Sequence, residues 1–80
     1  MPVTTLDCLP FGQQALITHL TENAAPFRHK LLAMGVTPGC HVRVIRVAPL
    51  GDPIEIEIRG FHLCLRRAEA ATIAAEVCPS

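Results

Sequence analysis

Ile54, Ile56 and Ile58 alternate with Glu55, Glu57 and Arg59, the cleanest period-two pattern in the chain. Arg59-Gly60 follows, and a two-residue turn there fixes the register of the next strand. Ile58 then opposes Phe61, Ile56 opposes Leu63 and Ile54 opposes Leu65, so six apolar side chains are expected on one buried face. The same register sets Glu57 beside His62 and Glu55 beside Cys64 on the outer face.

Upstream, the pattern is less regular. In C-H-V-R-V-I-R-V, Val42 and Val44 share one parity while Ile45 and Val47 share the other. One extra residue near Val44 and Ile45, a β-bulge, restores a single apolar face and bends the strand. Q-Q-A-L-I-T-H-L, after Gly12, reads as an earlier strand with imperfect alternation. Between these two runs the period changes. Phe27, Leu31 and Met34 recur at i, i+4 and i+7, which predicts a helix of two to three turns. Pro26 is placed at its first position, Asn23 as its cap and Gly35 at its left-handed end. Pro38 and Gly39 suit the centre of a type II turn. R-R-A-E-A-A reads as one helical turn and T-I-A-A-E-V as a closing strand. The elements together predict a mainly β fold: a small, bent β-barrel with one short inserted α-helix and a helical turn before the last strand.

Composition narrows the function. Eighty residues make one domain, expected over residues 1–80 with its core at about 12–77. Seven basic residues balance seven acidic ones, which argues against nucleic acid as partner and against a basic membrane-binding patch. No apolar run approaches the roughly 20 residues that cross a bilayer, and M-P-V-T-T-L-D-C has the form of no secretory signal. A cytoplasmic protein is expected, with no direct membrane insertion and with Cys8, Cys40, Cys64 and Cys78 as reduced thiols.

No catalytic motif is present, and no enzyme is expected. Glu55 and Glu57 read as a solvated charged face. His62-x-Cys64 projects an imidazole and a thiol to one side of a strand, as a small carrier or sensor of ferrous iron or another transition metal requires. The spacing matches no established site, so no metal ligand and no cofactor is assigned. Arg28, His29 and Lys30 form a basic set, either a solvated face or a dock for an acidic partner surface. Leu32 falls at the edge of the helix's buried stripe, where it completes the core or lines an exposed groove. The densest turn chemistry lies in A-P-L-G-D-P, residues 48–53. Pro49 and Pro53 stiffen it, Gly51 permits a positive φ and Asp52 can accept from nearby amides. That leaves Leu50 at the tip of a stiff loop, tucked under it or waiting for a partner.

Three blocks, R-H-K-L-L-A-M-G-V-T-P-G, V-A-P-L-G-D-P-I and the glycine-turn hairpin ending in L-R-R-A-E-A, resemble the ferrous-iron transport A family, FeoA. The resemblance runs from about Gly12 to Val77 and implies an SH3-like β-barrel. It implies a cytoplasmic, non-enzymatic accessory protein of ferrous-iron uptake. The partner it implies is the membrane GTPase transporter FeoB, contacted on its cytoplasmic side. On this resemblance Gly35, Pro38, Gly39, Pro49, Pro53 and Gly60 are expected to shape the fold. Leu50, Gly51 and Asp52 are expected to form a contact edge, with Arg28, Lys30 and Leu32. The four cysteines are not part of the resemblance.

Overall fold

The computed structural model describes residues 3–78; residues 1–2 and 79–80 of the expected domain lie outside them. The strands are β1 (Val3–Thr5), β2 (Gln14–Leu20), β3 (His41–Val47), β4 (Ile54–Ile58), β5 (Phe61–Leu65) and β6 (Ile73–Val77). Helix α1 (Arg28–Ala33) separates β2 from β3, and α2 (Arg67–Ala70) separates β5 from β6. All six strands form one antiparallel sheet in the order β1-β6-β2-β3-β4-β5. Among the described residues its two edges, β1 and β5, are not paired with one another.

The predicted hairpin is present in its predicted register, with Ile58 opposite Phe61, Ile56 opposite Leu63 and Ile54 opposite Leu65. Arg59 and Gly60 both have positive φ, 52° and 81°, as a type I′ turn requires. The three isoleucines and Leu65 are buried, but Leu63 is only half-buried and Phe61 is 70% exposed. Phe61 therefore departs from the expectation of six buried side chains. It starts an edge strand, and its neighbours across the ladder lie on one side only.

The register of β3 against β4 shifts between Val44 and Arg46, which places the expected bulge. Beyond it Val47 pairs with Ile54, on the inward side, yet at the strand's end it remains 40% exposed. A second shift, between Ile17 and His19 of β2, accounts for the imperfect alternation of that strand. It lets Ala15, Ile17 and Leu20 all reach the core.

Helix α1 begins later than its sequence suggests. Glu22–Ala24 form a 3-10 turn that contains Asn23, and Phe27, not Asn23, is the N-cap. Pro26 thus precedes the helix instead of opening it. The reason is local: Ala24 is fully buried, and its carbonyl accepts the Phe27 N–H at 2.8 Å, which adds a turn before the first helical bond. The buried face is as expected, with Leu31 fully enclosed and Phe27 and Met34 packed against the core. At its end the Val36 N–H donates to the Leu31 carbonyl and the Gly35 N–H to the Leu32 carbonyl. With Gly35 at φ +92° this is a Schellman motif. Thr37–Cys40 then make the expected Pro-Gly turn, closed by the Cys40 N–H on the Thr37 carbonyl at 3.3 Å.

No element before Gly12 was expected, but β1 pairs with β6, and Leu6 and Leu9 are buried. A three-residue strand and single leucines between polar residues leave no periodicity to read.

Candidate functional site

The β3–β4 loop, residues 48–53, is held from both sides. Within it, the Ala48 N–H donates to the Pro53 carbonyl at 3.1 Å and the Gly51 N–H to the Ala48 carbonyl at 2.7 Å. Across the molecule, the Asp52 carboxylate accepts the Arg67 backbone N–H at 3.1 Å. Arg67 is the first residue of α2, so Asp52 satisfies one of that helix's free amides from a distant loop. Gly51 has φ +83°, and a Cβ there would lie 2.8 Å from the Arg67 guanidinium. The positive φ calls for glycine, whereas the guanidinium, at the end of a flexible side chain, could move aside. Leu50 stands at the tip, 94% exposed. The loop is thus a fixed turn and also presents an apolar side chain to solvent.

Helix α2 is anchored in turn by Glu69, whose side chain is 3% exposed. One carboxylate oxygen accepts the Arg66 N–H at 3.0 Å, reaching back to the residue that precedes the helix. The other accepts from Lys30 Nζ at 2.8 Å. Burial alone would raise the pKa of this carboxyl. The Lys30 hydrogen bond, the Arg66 amide and the two positive charges together hold it below the usual glutamate value.

Of the expected contact residues, Lys30 and Asp52 meet in one shallow depression of about 430 Å³, which also includes Cys64, Arg66 and Glu69. Lys30 is engaged with Glu69, whereas Arg28 and Leu32 are exposed on α1, Leu32 at 40%. The sequence could not reveal the Asp52–Arg67 and Lys30–Glu69 contacts, which join residues 15 and 39 positions apart.

His62 lies between two carboxylates, with Nδ1 3.5 Å from Glu55 and Nε2 3.6 Å from Glu57. Cys64 stands opposite Glu55. Among the described residues, no group of three or more His, Cys, Asp or Glu side chains is placed to hold a metal ion within one chain. Cys40, after the Pro-Gly turn, is buried with Sγ 3.0 Å from Thr37 Oγ1 and 2.9 Å from an Arg59 guanidinium nitrogen. The Thr37 hydrogen bond, aided by Arg59 and opposed by burial, lowers its pKa. Among the described residues, no helix is long and apolar enough to cross a membrane.

Residues 4–77 match the FeoA domain. The chain belongs to the FeoA family. A Porphyromonas gingivalis relative, an Fe(2+) transport protein A/Fe(2+) transporter FeoB fusion protein, is 38% identical over 69 residues. That alignment covers 86% of this chain but only 8% of the fusion. The FeoA-like protein of Clostridium acetobutylicum superposes with a TM-score of 0.90 at 28% identity, covering all of this chain and 92% of its own. The zinc-complexed FeoA of Stenotrophomonas maltophilia, described as an SH3 domain protein, gives 0.76 at 26% identity, over 91% of this chain and 89% of its own. The fold is SH3-like, and the family is one of ferrous-iron transport.

Proposed function

We propose that this FeoA chain is a cytoplasmic docking module that contacts the FeoB transporter and tunes ferrous-iron uptake without chemistry of its own. The observation that carries this reading is the fusion relative, in which an FeoA segment and the transporter share one polypeptide. Covalent linkage gives two modules a high effective concentration, which suits a pair that works in contact.

Leu50, Gly51 and Asp52 form the contact edge, helped by Arg28, Lys30 and Leu32 of α1, of which Lys30 shares a depression with Asp52. The geometry supports a division of labour. Asp52 and Gly51 hold the loop, and Leu50, 94% exposed, is available to enter an apolar pocket of the partner. A pinned loop loses little entropy on binding, so a single apolar anchor contributes more than it would on a mobile segment. Docking then favours one transporter conformation over another by its differential affinity for the two. A carrier role through His62 and Cys64 is less well supported, because both His62 ring nitrogens face Glu55 and Glu57 and, among the described residues, no group of three or more side chains is placed to hold a metal ion.

The test is uptake and capture together. Deleting the chain lowers ferrous uptake, and Leu50→Asp reproduces that loss and fails to retain the transporter in a pull-down. Normal uptake in the deletion strain contradicts the reading.

A further inference from the structure

The charges around the 48–53 loop are distributed unlike those of the sheet. On the outer sheet face cations and carboxylates are matched: Arg46 lies 3.9 Å from Glu55, and His62 lies between Glu55 and Glu57. At the start of α2 they are not. Arg66 and Arg67 are both exposed, and among the described residues neither guanidinium has a carboxylate at ion-pair distance. The two acidic side chains beside them are already engaged. Glu69 is buried and accepts from Lys30 and from the Arg66 amide, and Asp52 accepts the Arg67 amide.

The stability of α2 does not account for this pair of arginines. Arg66 is the N-cap and makes no side-chain capping bond, at a position that favours a short acceptor such as Ser or Asp. Arg67 follows as the first helical residue, where a cation opposes the helix dipole. Their backbone amides are served by Glu69 and Asp52, which would serve other side chains there equally. Arg67 does make one long contact, from Nη1 to the Gly51 carbonyl at 3.5 Å. It sets a positive charge against the residue that follows Leu50. Arg66, with Lys30, lines the depression of about 430 Å³ that Asp52 also borders. Leu50 is two residues before Asp52, at most about 7 Å away along the chain.

We propose that Arg66 and Arg67 are the specificity-determining residues of the docking surface, and that they bind carboxylate side chains which the transporter presents beside the apolar pocket receiving Leu50. This rests on the reading that Leu50 docks on the transporter. The exposed charges around the loop and α2 favour an acidic partner, because Arg66, Arg67 and the Lys30 head stand against one exposed carboxylate, Asp52. The chain as a whole has a formal net charge of zero, so its attraction to an acidic surface is local to this patch. Each guanidinium offers a planar fork of N–H donors that matches a carboxylate. Because the first amides of α2 are taken, the anion is held by side chains and not by the helix end.

An exposed ion pair contributes little by itself. Here Leu50 entering its pocket expels water from the groups next to it, and a charged hydrogen bond strengthens as its surroundings dry. The same drying supplies discrimination. A protein with a suitable apolar pocket but no carboxylate beside it would leave two guanidinium groups desolvated and unpaired. Leu50 thus provides the anchor, and the two arginines decide which pocket it enters.

The experiment measures the affinity of the full chain for FeoB in a non-ionic detergent, at low and at high salt. Arg66→Glu, Arg67→Glu and Arg46→Glu each change the net charge equally, and Leu50→Asp reports the anchor. All three arginines are exposed, so circular dichroism should match wild type throughout. The expected result is a loss of at least about five-fold for Arg66→Glu and for Arg67→Glu at low salt, and little change for Arg46→Glu. Wild-type affinity should fall as salt is raised, and the gap to the Arg66 and Arg67 variants should narrow. If Arg66→Glu and Arg67→Glu bind like wild type while Leu50→Asp does not, the proposal is overturned and docking stands. An equal loss for Arg46→Glu, or a wild-type affinity indifferent to salt, also overturns it. A wild-type chain that does not bind FeoB overturns the docking reading itself, and this proposal with it.

Discussion

Strand β4 has an exposed apolar side chain close to each end, and the two are held in different ways. Before Ile54, Leu50 stands on a six-residue loop tied through Asp52 to α2, and α2 is in turn tied through Glu69 to α1. After Ile58, Phe61 follows a two-residue turn at the start of the free edge strand. Exposure is similar, 94% against 70%, but the loop around Leu50 is closed by the Ala48 and Gly51 amides, whereas among the described residues the outer edge beginning at Phe61 is unpaired. A tied loop with one bare apolar tip suits a side chain that inserts into another protein. An open strand edge suits a partner that brings backbone of its own.

The largest expected effect removes the beam that both ends share. Ile56→Ala, at a fully buried position, should cost about 2–5 kcal/mol in denaturant unfolding and loosen loop and turn together. A loss confined to one end would break the comparison.

Glu69→Gln should separate the ends, at a cost of about 1–3 kcal/mol from the buried charged hydrogen bonds. Because the folded pKa of Glu69 is lowered, its stabilising contribution is fully present above the ordinary glutamate value. It is lost as pH falls through the depressed folded value. The melting temperatures of wild type and Glu69→Gln should therefore differ most at neutral pH and converge in acid. Hydrogen exchange should quicken around residues 48–53 and not at Arg59-Gly60.

Asp52→Ala cuts the tie itself and should cost about 1 kcal/mol, as loss of a helix-capping acceptor does. Leu50→Asp and Phe61→Asp should each change stability by less than about 0.5 kcal/mol, since neither side chain is packed. A larger loss for Leu50→Asp in the same unfolding assay would mean that the tip is part of the fold.

How much of this was legible in the sequence depended on contact range. The hairpin could be read because its turn fixes its register and three isoleucines mark the inner face. The bulge in β3 could be read because a parity change has few other physical causes. Phe61 was misplaced because periodicity assigns a face and not a neighbour, and only topology shows that β5 is an edge. Helix α1 was started too early because Pro26 and Asn23 suit the end of a 3-10 turn as well as the start of a helix. The loop's stiffness was visible in its prolines. Its attachment to α2 was not, because Asp52 and Arg67 become neighbours only after the sheet has folded.

The central claim is that Leu50 is a contact residue on a loop held ready for a partner. The most direct measurement is the affinity of the purified chain for FeoB in detergent, for wild type, Leu50→Asp and Phe61→Asp. The account predicts at least a roughly ten-fold loss for Leu50→Asp, the equivalent of about 1.4 kcal/mol, and no change for Phe61→Asp. Equal affinity for wild type and Leu50→Asp, with binding intact, would contradict it.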